Sequence, residues 1–449
     1  MGETSQRTHD DGASPYGGSY VSYAGHPRLF VTLVLLAVAA ACYLGIVAVR
    51  HGPPSGGDTI PLTAVTTALA DGDLRAAASV ASLPNPPGYP LLAAPFVAAF
   101  PSVVGSPNWC TPNARVRPPP TGLSVASAPG GARECNRPSV LGGDTLPPWY
   151  RAQGLLGVAS WLVLAVGALL LLRAAGAGSV ASQAGLLLFL AFLPAASSAI
   201  VQLYHPQDVV SLGLTLAALS QVLERRWLMS GVLFGAAVMT KQFALLLLLP
   251  ALVAAPDRRS RLTLTVVAAA VFGAGILPFL VVDPRSTLEN LSGFSAGGAV
   301  VGQTVLSLAG VDGTVASAVA RDAPVVIAVA VCLWAARRPG LHANRPTTLV
   351  ALALVCTGSR LVFESVVFPY YLLAASVLVV LLDLVARRSP HLSLTWCAAA
   401  AFFVAVHPGN RTVAAFGTLV LAVVAVSIGM AELLSREGSP AQKSQAVAT

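Results

Sequence analysis

The chain has 449 residues, of which 55% are hydrophobic and only 10% are charged, with a formal net charge of +8. A soluble domain carries about 25% charged residues, so this composition excludes a protein with a fully water-facing surface. The positive charge does not indicate nucleic-acid binding, because membrane proteins collect Lys and Arg in their cytoplasmic loops. The sequence therefore predicts an all-α, polytopic membrane protein built as a bundle of transmembrane helices.

The first 28 residues are polar and rich in Gly, Ser and Tyr, which predicts a disordered tail over residues 1–28. Residues 29–49 form the first apolar run, and the long polar stretch before it favours a span over a cleaved signal peptide. The apolar runs predict twelve spans in all, or eleven if residues 227–255 form one kinked helix. These spans are predicted at 29–49, 150–172, 180–203, 208–223, 227–240, 242–255, 262–282, 323–336, 346–363, 370–386, 392–407 and 412–434.

Arginines fall on alternate short loops, so these loops share one side of the membrane, which the positive-inside rule identifies as the cytoplasm. Both termini are then cytoplasmic under the twelve-span count. A transmembrane domain over residues 29–434 is predicted to be followed by a cytoplasmic tail, 435–449. The arginine-rich loops contain Arg225-Arg226, Arg258-Arg259-Arg261, Arg337-Arg338-Arg345 and Arg387-Arg388.

Two long loops are predicted outside, at residues 50–149 and 283–322. Short apolar segments in the first loop are typical of helices that lie in the membrane interface. Its polar, Pro-rich part, an insertion at residues 105–148, contains Cys110 and Cys135. Because an external compartment is oxidising, we expect these two cysteines to form a disulfide.

The stretch "QLYHPQDVVSL" gathers His205, Gln207 and Asp208 at the predicted outer end of the third span. Asp208 could simply cap the next helix, since it follows Pro206. That reading leaves His205 and Gln207 unexplained. Ionisable groups near membrane depth usually mark a site, so the stretch indicates substrate binding.

Lys241, in "AAVMTKQFALLLLLP", lies far from any other charged residue along the chain. A lysine that snorkels from a span end to water is the alternative. The short flanking runs are instead typical of broken helices that line a cavity. Lys241 also falls on the outer side, against the positive-inside trend, and Gln242 beside it is a second candidate binding residue.

The stretch "GSRLVFESVVFPYY" contains Arg360, Glu364, Tyr370 and Tyr371. Arg360 and Glu364 stand four residues apart, so they could merely pair on one helix face. The tyrosines could form an interfacial aromatic belt. The functional alternative is that all four residues contribute to binding at the outer membrane boundary.

Asp58 lies in "PPSGGDTIPL", shortly after the first span leaves the membrane. It could be the N-cap of the segment that follows. Asp71 and Asp73, in "ADGDL", are rival carboxylates and are typical of a solvated turn. A carboxylate and several cations at one boundary suit a reaction on a lipid phosphate, with the carboxylate as general base.

These stretches resemble the polytopic glycosyltransferases of the C superfamily (GT-C). They are most similar to the actinobacterial branch of polyprenol-phosphate-mannose-dependent α-mannosyltransferases, which is similar to glycosyltransferase family 87. The resemblance covers most of residues 29–386, but the insertion at 105–148 departs from the family pattern. It rests on Asp58 and on "NPPGYPLLAAPF", "YHPQDVVSLGL", "SGVLFGAAVMTKQFALLLLLP" and "FPYYLL".

The resemblance implies a GT-C-like fold and transfer of a sugar, mannose in that branch, from a polyprenyl-phosphate donor to a glycolipid or glycan acceptor. The reaction would take place at the outer face of the cell membrane, among membrane lipids. No cofactor, metal or nucleic acid enters this interpretation, and we expect a monomer.

The resemblance also implies a single inverting displacement in which Asp58 deprotonates the acceptor hydroxyl. Gln207 and Asp208 would bind sugar hydroxyls. The leaving phosphate would be stabilised by a cation such as Lys241, Arg360 or His205.

A transporter or flippase of a lipid-linked sugar is the alternative, since broken helices and buried polar clusters also mark transporters. Transporters usually show internal repeats and midplane polar residues, whereas here no repeat of fixed period is visible and the polar groups fall at one boundary. A non-catalytic scaffold leaves the clustered ionisable groups unexplained. The sequence therefore favours a membrane glycosyltransferase.

Overall fold

The computed structural model describes the helical bundle and part of the first long loop. The first predicted span (29–49), Asp58, Cys110 and Cys135 lie outside the described residues, as do most residues of the two predicted tails. Their predicted roles therefore stay predictions. The described residues are 59–79, 86–99, 148–202, 204–292, 306, 309–311, 313–338, 341, 346–364, 369–388, 390–406 and 411–437.

Helices make up the fold, and no strand occurs among the described residues, which confirms the predicted all-α class. Apolar runs become helices in a membrane because a helix satisfies its own backbone N–H and C=O groups. Three helices of the first long loop come first: α1 (Thr59–Ala70), α2 (Leu74–Ser79) and α3 (Gly88–Ala99). The bundle then contains α4 (Pro148–Ala174), α5 (Val180–Phe192), α6 (Pro194–Ser197), a π-helical turn (Ser198–Gln202), α7 (Pro206–Leu223), α8 (Trp227–Thr240) and α9 (Ala244–Ala254). It continues with α10 (Arg258–Val282), α11 (Pro284–Ser292), α12 (Gly313–Ala336), α13 (Pro346–Phe363), a 3₁₀ turn (Pro369–Tyr371), α14 (Leu372–Ala386), α15 (His391–Val406) and α16 (Arg411–Glu437).

Five helices among the described residues are long and apolar enough to cross a membrane, which establishes a multi-pass membrane protein. A sixth span results if Val180–Phe192 and Pro194–Val201, which meet at a bend of 49°, are counted together. The other predicted spans in the described ranges form helices that are too short or, like the 18-residue Pro206–Leu223, not apolar enough to count, so the total number of spans stays a prediction. The five long segments are Gly154–Ala174, Arg258–Val282, Ala318–Ala336, Pro346–Phe363 and Ala415–Ser435.

Two predicted segments differ from the structure. The span predicted at 180–203 is broken, because Pro194 cannot continue the hydrogen-bond ladder of α5. The long loop predicted at 283–322 is partly helical, since α11 occupies its beginning and α12 already starts at Gly313.

Helices α8 and α10 run parallel and in close contact. A Cβ added at Gly231 would lie 3.0 Å from the Leu264 carbonyl oxygen, and one added at Gly235 would lie 2.6 Å from the Ala268 carbonyl oxygen. Four residues along α8 therefore correspond to four residues along α10 in the same direction. Because α8 and α10 both run from the arginine-rich loops in the same direction, α9, which connects them in the chain, must run in the opposite direction. The chain therefore reverses at residues 241–243, so residues 227–255 form two helices and not one kinked helix.

The bundle has two chemically distinct ends. We call the end that contains Asp208, Lys241 and Arg360 the site end, and the end that contains the arginine-rich loops the arginine end. At the arginine end, Arg387 Nη2 donates to the Gly176 carbonyl oxygen at 3.1 Å and so joins an arginine-rich loop to the turn between α4 and α5. The side of the membrane that each end faces stays a prediction.

Each helix that carries a site residue packs on a neighbour through glycine. Helix α7 meets α4 at Gly213, where an added Cβ would lie 2.6 Å from the Val163 carbonyl oxygen. Helix α13 meets α16 at Gly358 and at Gly429, where an added Cβ would lie 2.9 Å and 2.7 Å from valine side chains. Small residues let helix backbones approach closely in membranes, which fixes the positions of these helices.

Helices α1 to α3 pack on the site end through a hydrophobic cluster of their own. This cluster joins the first long loop to α7 and α10, so the loop is part of the folded bundle over its described residues. Its buried members are Leu62, Val65, Ala77, Ala78, Tyr89, Ala93, Tyr204, Val210 and Phe279.

Candidate functional site

The first turn of α7 presents three predicted site residues, His205, Gln207 and Asp208, all buried. Pro206 starts the helix, where its missing N–H and fixed φ are tolerated. His205 is the residue that precedes the helix, and no side chain caps the helix there. The carboxylate of Asp208 is turned instead toward a neighbouring helix, so the capping reading of Asp208 does not hold.

Lys241 meets Asp208 across the interface between α7 and α8. Its Nζ lies 3.4 Å from Asp208 Oδ2, and the Lys241 side chain is only 5% exposed. Ser211 Oγ of α7 donates to the Ala237 carbonyl oxygen at 3.0 Å, which holds α7 to the last turn of α8. A lysine this buried does not reach water, so the snorkelling reading is excluded here.

Arg360 and Glu364 form the second buried pair, with Arg360 Nη2 2.6 Å from Glu364 Oε1. They stand four residues apart, as the sequence indicated, but the pair does not lie on an open helix face. The Arg360 guanidinium lies 5.4 Å from the ring centre of Phe243 and 5.0 Å from that of Tyr371. Cation–π contacts of this kind strengthen when water is excluded.

The two tyrosines bring the last segment into contact with the first. Tyr370 stacks on His205 with ring centres 4.0 Å apart and an angle of 20° between the rings. Tyr370 and Tyr371 meet edge to face at 4.7 Å. Tyr370 is buried, so it does not belong to a lipid-facing aromatic belt.

These contacts join residues 204–208, 241–243, 360–364 and 369–371 into one cluster of two cations, two carboxylates and an imidazole. Gln242 follows Lys241 in the reversal and is partly buried. The structure therefore brings together eight of the nine predicted binding residues, and Gln242 stands next to one of them in the chain. We call this group of residues the charge cluster.

Two oxygens of the charge cluster have no hydrogen-bond donor among the described residues: Gln207 Oε1 and Asp208 Oδ2. Asp208 Oδ2 has Lys241 Nζ at 3.4 Å and His205 Nδ1 at 3.6 Å. These distances make ion-pair neighbours but exceed those of a strong charge-assisted hydrogen bond. A buried acceptor without a donor costs about 1–3 kcal/mol, so both oxygens are suited to a ligand that donates hydrogen bonds.

The rival carboxylates Asp71 and Asp73 lie apart from the charge cluster. Both are exposed, in a turn where Gly72 adopts φ +76. Asp73 Oδ1 accepts from the Ala76 backbone N–H at 2.8 Å and so caps α2. The solvated-turn interpretation of these residues agrees with this geometry.

Sequence reasoning missed Phe243, Tyr204 and Tyr89 as neighbours of the charge cluster. Phe243 stands two residues after Lys241, and Tyr204 directly precedes His205, so proximity along the chain could have indicated both. Tyr89 hydrogen-bonds to Tyr204, with the two hydroxyl oxygens 3.1 Å apart. No pattern in the sequence indicates that contact between distant segments.

The model of glycosyltransferase family 87 matches residues 144–369, slightly more than half of the chain. The match includes His205, Asp208, Lys241 and Arg360 but ends just before Tyr370, and Asp58 lies before its start. No protein of curated function matches the chain significantly. The chain therefore belongs to glycosyltransferase family 87 and is a membrane glycosyltransferase.

Proposed function

We propose that the protein transfers a sugar, mannose in the branch it resembles, from a polyprenyl-phosphate donor to a glycolipid or glycan acceptor on the outer face of the cell membrane. The observation that carries this proposal is the charge cluster, which combines buried cations, buried acceptor oxygens and stacked rings. Those are the groups that a phosphate, sugar hydroxyls and a sugar ring require, and a lipid-linked sugar contains all three.

The sugar and the phosphate occupy different parts of the charge cluster in this proposal. Gln207 Oε1 and Asp208 Oδ2 can only accept hydrogen bonds when Asp208 is ionised, and so can the oxygens of an ionised phosphodiester. Sugar hydroxyls, which donate, therefore suit Gln207 and Asp208. The phosphate suits Arg360 and Lys241, the two buried cations.

The reaction is a single displacement at the anomeric carbon. Asp58, the predicted base, takes the proton from the acceptor hydroxyl, whose oxygen attacks the anomeric carbon. The bond between that carbon and the phosphate oxygen breaks, and the electron pair leaves with polyprenyl phosphate. Buried cations stabilise the charge on the leaving oxygen, and the configuration at the anomeric carbon inverts.

The test uses purified full-length protein in nanodiscs with polyprenyl-phosphate sugars that differ only in the sugar. Transfer to a lipid extract, detected by mass spectrometry, identifies the donor sugar, and NMR of the product gives its anomeric configuration. Lys241→Ala and Arg360→Ala should each weaken donor binding, by about 2–5 kcal/mol for a desolvated charge contact. Arg226→Ala, at the arginine end, is the matched control and should bind the donor as wild type does.

Unchanged donor affinity in both the Lys241 and Arg360 variants would remove these cations from the site. Retention of configuration would contradict the single displacement. Movement of intact labelled donor across proteoliposomes, without transfer to any acceptor, would favour the flippase alternative.

A further inference from the structure

The first two residues of α3, Gly88 and Tyr89, touch both segments that supply the Asp208–Lys241 pair. The Tyr89 hydroxyl lies 3.1 Å from that of Tyr204, and both tyrosines are almost fully buried. The Tyr89 hydroxyl also interacts with Ser160 of α4. Loss of the Tyr89 hydroxyl therefore leaves that of Tyr204 without its partner, whereas loss of the Tyr204 hydroxyl leaves Tyr89 with Ser160. The contact between the two tyrosines connects the first long loop to the segment that enters α7.

Tyr204 is held in a conformation that only its surroundings can maintain. Its φ is +51, in the left-handed region that a bulky residue rarely adopts. It lies between the π-helical turn Ser198–Gln202 and His205, whose backbone N–H donates to the Ala199 carbonyl oxygen at 2.6 Å. Strained residues and π-turns persist where the structure around them stabilises them, and Tyr89 is part of that structure.

Gly88 makes the second contact, with the last turn of α8. A Cβ added at Gly88 would lie 2.5 Å from both the carbonyl carbon and the carbonyl oxygen of Met239, and 2.7 Å from the backbone nitrogen of Thr240. The next residue in the chain is Lys241. Only glycine permits this approach, because the atoms in contact belong to backbone and cannot rotate away.

We propose that Gly88 and Tyr89 are positioning residues, which hold the Asp208 turn of α7 and the Lys241 reversal after α8 at the separation that forms the buried ion pair. This proposal rests on the proposed function, in which that pair binds the donor. Asp58 directly precedes α1, and α1 packs with α3 in the same hydrophobic cluster. The segment that follows the predicted base therefore packs on the helix that carries the two positioning residues.

The first experiment removes the hydroxyls and keeps the rings. Tyr89→Phe, Tyr204→Phe and the double variant are compared by binding of polyprenyl phosphate to full-length protein in nanodiscs. Each single variant should weaken binding about fivefold, the typical effect of one hydrogen bond. The double variant should be no worse than the Tyr89→Phe variant, because each single variant already removes the hydrogen bond between the two tyrosines. Additive losses would show that the two hydroxyls act independently, and wild-type binding in all three variants would overturn the role of Tyr89.

The second experiment fills the space at Gly88. Gly88→Ala should weaken polyprenyl phosphate binding more than tenfold and raise the donor KM, because the Lys241 backbone must shift. It should also increase hydrogen–deuterium exchange over residues 237–243. Gly185→Ala, where an added Cβ meets nothing within 4 Å, is the matched control and should change neither quantity. If Gly88→Ala behaves as this control does, the positioning role of Gly88 is wrong. If Gly88→Ala does not fold, the binding measured for the Tyr89→Phe and Tyr204→Phe variants tests the proposal.

Hydrogen–deuterium exchange over residues 198–208 and 237–243 separates this proposal from the proposed function. If wild type binds no polyprenyl phosphate but Tyr89→Phe and Gly88→Ala still raise exchange in both segments, the proposed function fails and the positioning role stands. If wild type binds and transfers while the variants match it in binding and exchange, the proposed function stands and the positioning role fails.

Discussion

The two ends of the bundle both contain buried carboxylates, but they neutralise them differently. At the arginine end, buried Glu432 pairs at 2.6 Å with Arg388, whose side chain is 53% exposed, so the pair reaches water. At the site end, both partners of Asp208–Lys241 and of Arg360–Glu364 are largely removed from water. An ion pair with one partner in water costs little, whereas pairs that are largely removed from water are costly and are typical of functional sites.

The largest effect should come from a change that leaves both ends folded. Asp58→Asn keeps the size of the side chain but cannot take up the acceptor proton, and loss of a general base typically costs about 10²–10⁴ in rate. We expect purified Asp58→Asn to bind polyprenyl-phosphate sugar and to lose transfer, as measured by release of polyprenyl phosphate. Asp71→Asn and Asp73→Asn are the controls and should transfer normally. Near wild-type transfer by the Asp58 variant and loss of transfer by one of these controls would reassign the base.

The next change separates a buried pair from an exposed one. Lys241→Met leaves the Asp208 carboxylate buried without its cation, and breaking a buried pair in this way typically costs about 3–5 kcal/mol. We expect the unfolding free energy in detergent to fall by that amount and to recover largely in Lys241→Met with Asp208→Leu, which should still fail to bind donor. Arg226→Ala, which breaks the exposed contact with Glu224 at 3.3 Å, should cost no more than about 1 kcal/mol. Equal losses for the two single variants would abolish the contrast between the ends.

A smaller effect concerns the helix that carries the Asp208 turn. Gly213→Ala places a Cβ against the backbone of α4 and should destabilise the protein by about 1–3 kcal/mol, the usual range for overpacking. Gly185→Ala, in α5, has open space around it and should stabilise that helix by up to about 1 kcal/mol. Thermal unfolding of the two variants should therefore shift in opposite directions. A stabilised Gly213 variant would show that α7 can move away from α4 without penalty.

The smallest expected effect is a change in melting temperature, and it should be the same for an aspartate at either end of the bundle. Asp257 and Asp283 each accept hydrogen bonds from the backbone and hydroxyl of a serine three residues on, which lowers the pKa of both carboxyls below 3.8. Because the pKa is lower in the folded protein, the stabilisation is present above pH 3.8 and is lost as the pH falls through the folded-state pKa. Asp257→Ala and Asp283→Ala should each lower the melting temperature slightly at pH 7, and the difference from wild type should shrink toward pH 3. If the two variants differ in the pH dependence of their melting temperature, one of these aspartates does more than accept hydrogen bonds at the start of its helix.

The sequence predicted the helices better than the contacts between them. Apolar runs interrupted by Arg225, Lys241 and Asp257 mark the ends of α7, α8 and α9 within a few residues, because hydropathy acts locally along the chain. The bend at Pro194 was missed within an otherwise continuous apolar run, although proline is a known helix breaker.

The charge cluster was predicted as a set of residues but not as a set of pairs. Arg360 and Glu364 are close in sequence, so helical periodicity was sufficient to pair them. The Asp208–Lys241 pair depends on how α7 and α8 pack, and the stacking of Tyr370 on His205 depends on a third segment. Neither contact has a local signal, and both followed only from the three-dimensional structure.

The chain reversal at residues 241–243 lies between two helices that are shorter than the hydrocarbon core is thick. At 1.5 Å per residue, the 14 residues of α8 and the 11 residues of α9 extend roughly 21 Å and 16 Å, against a hydrocarbon core of about 30 Å. Such a mismatch is relieved by local thinning of the lipid or by a recess in the protein. Under the proposed function, Lys241 would then meet the donor phosphate below the level of the surrounding membrane surface, while the isoprenoid chain remains in the hydrocarbon.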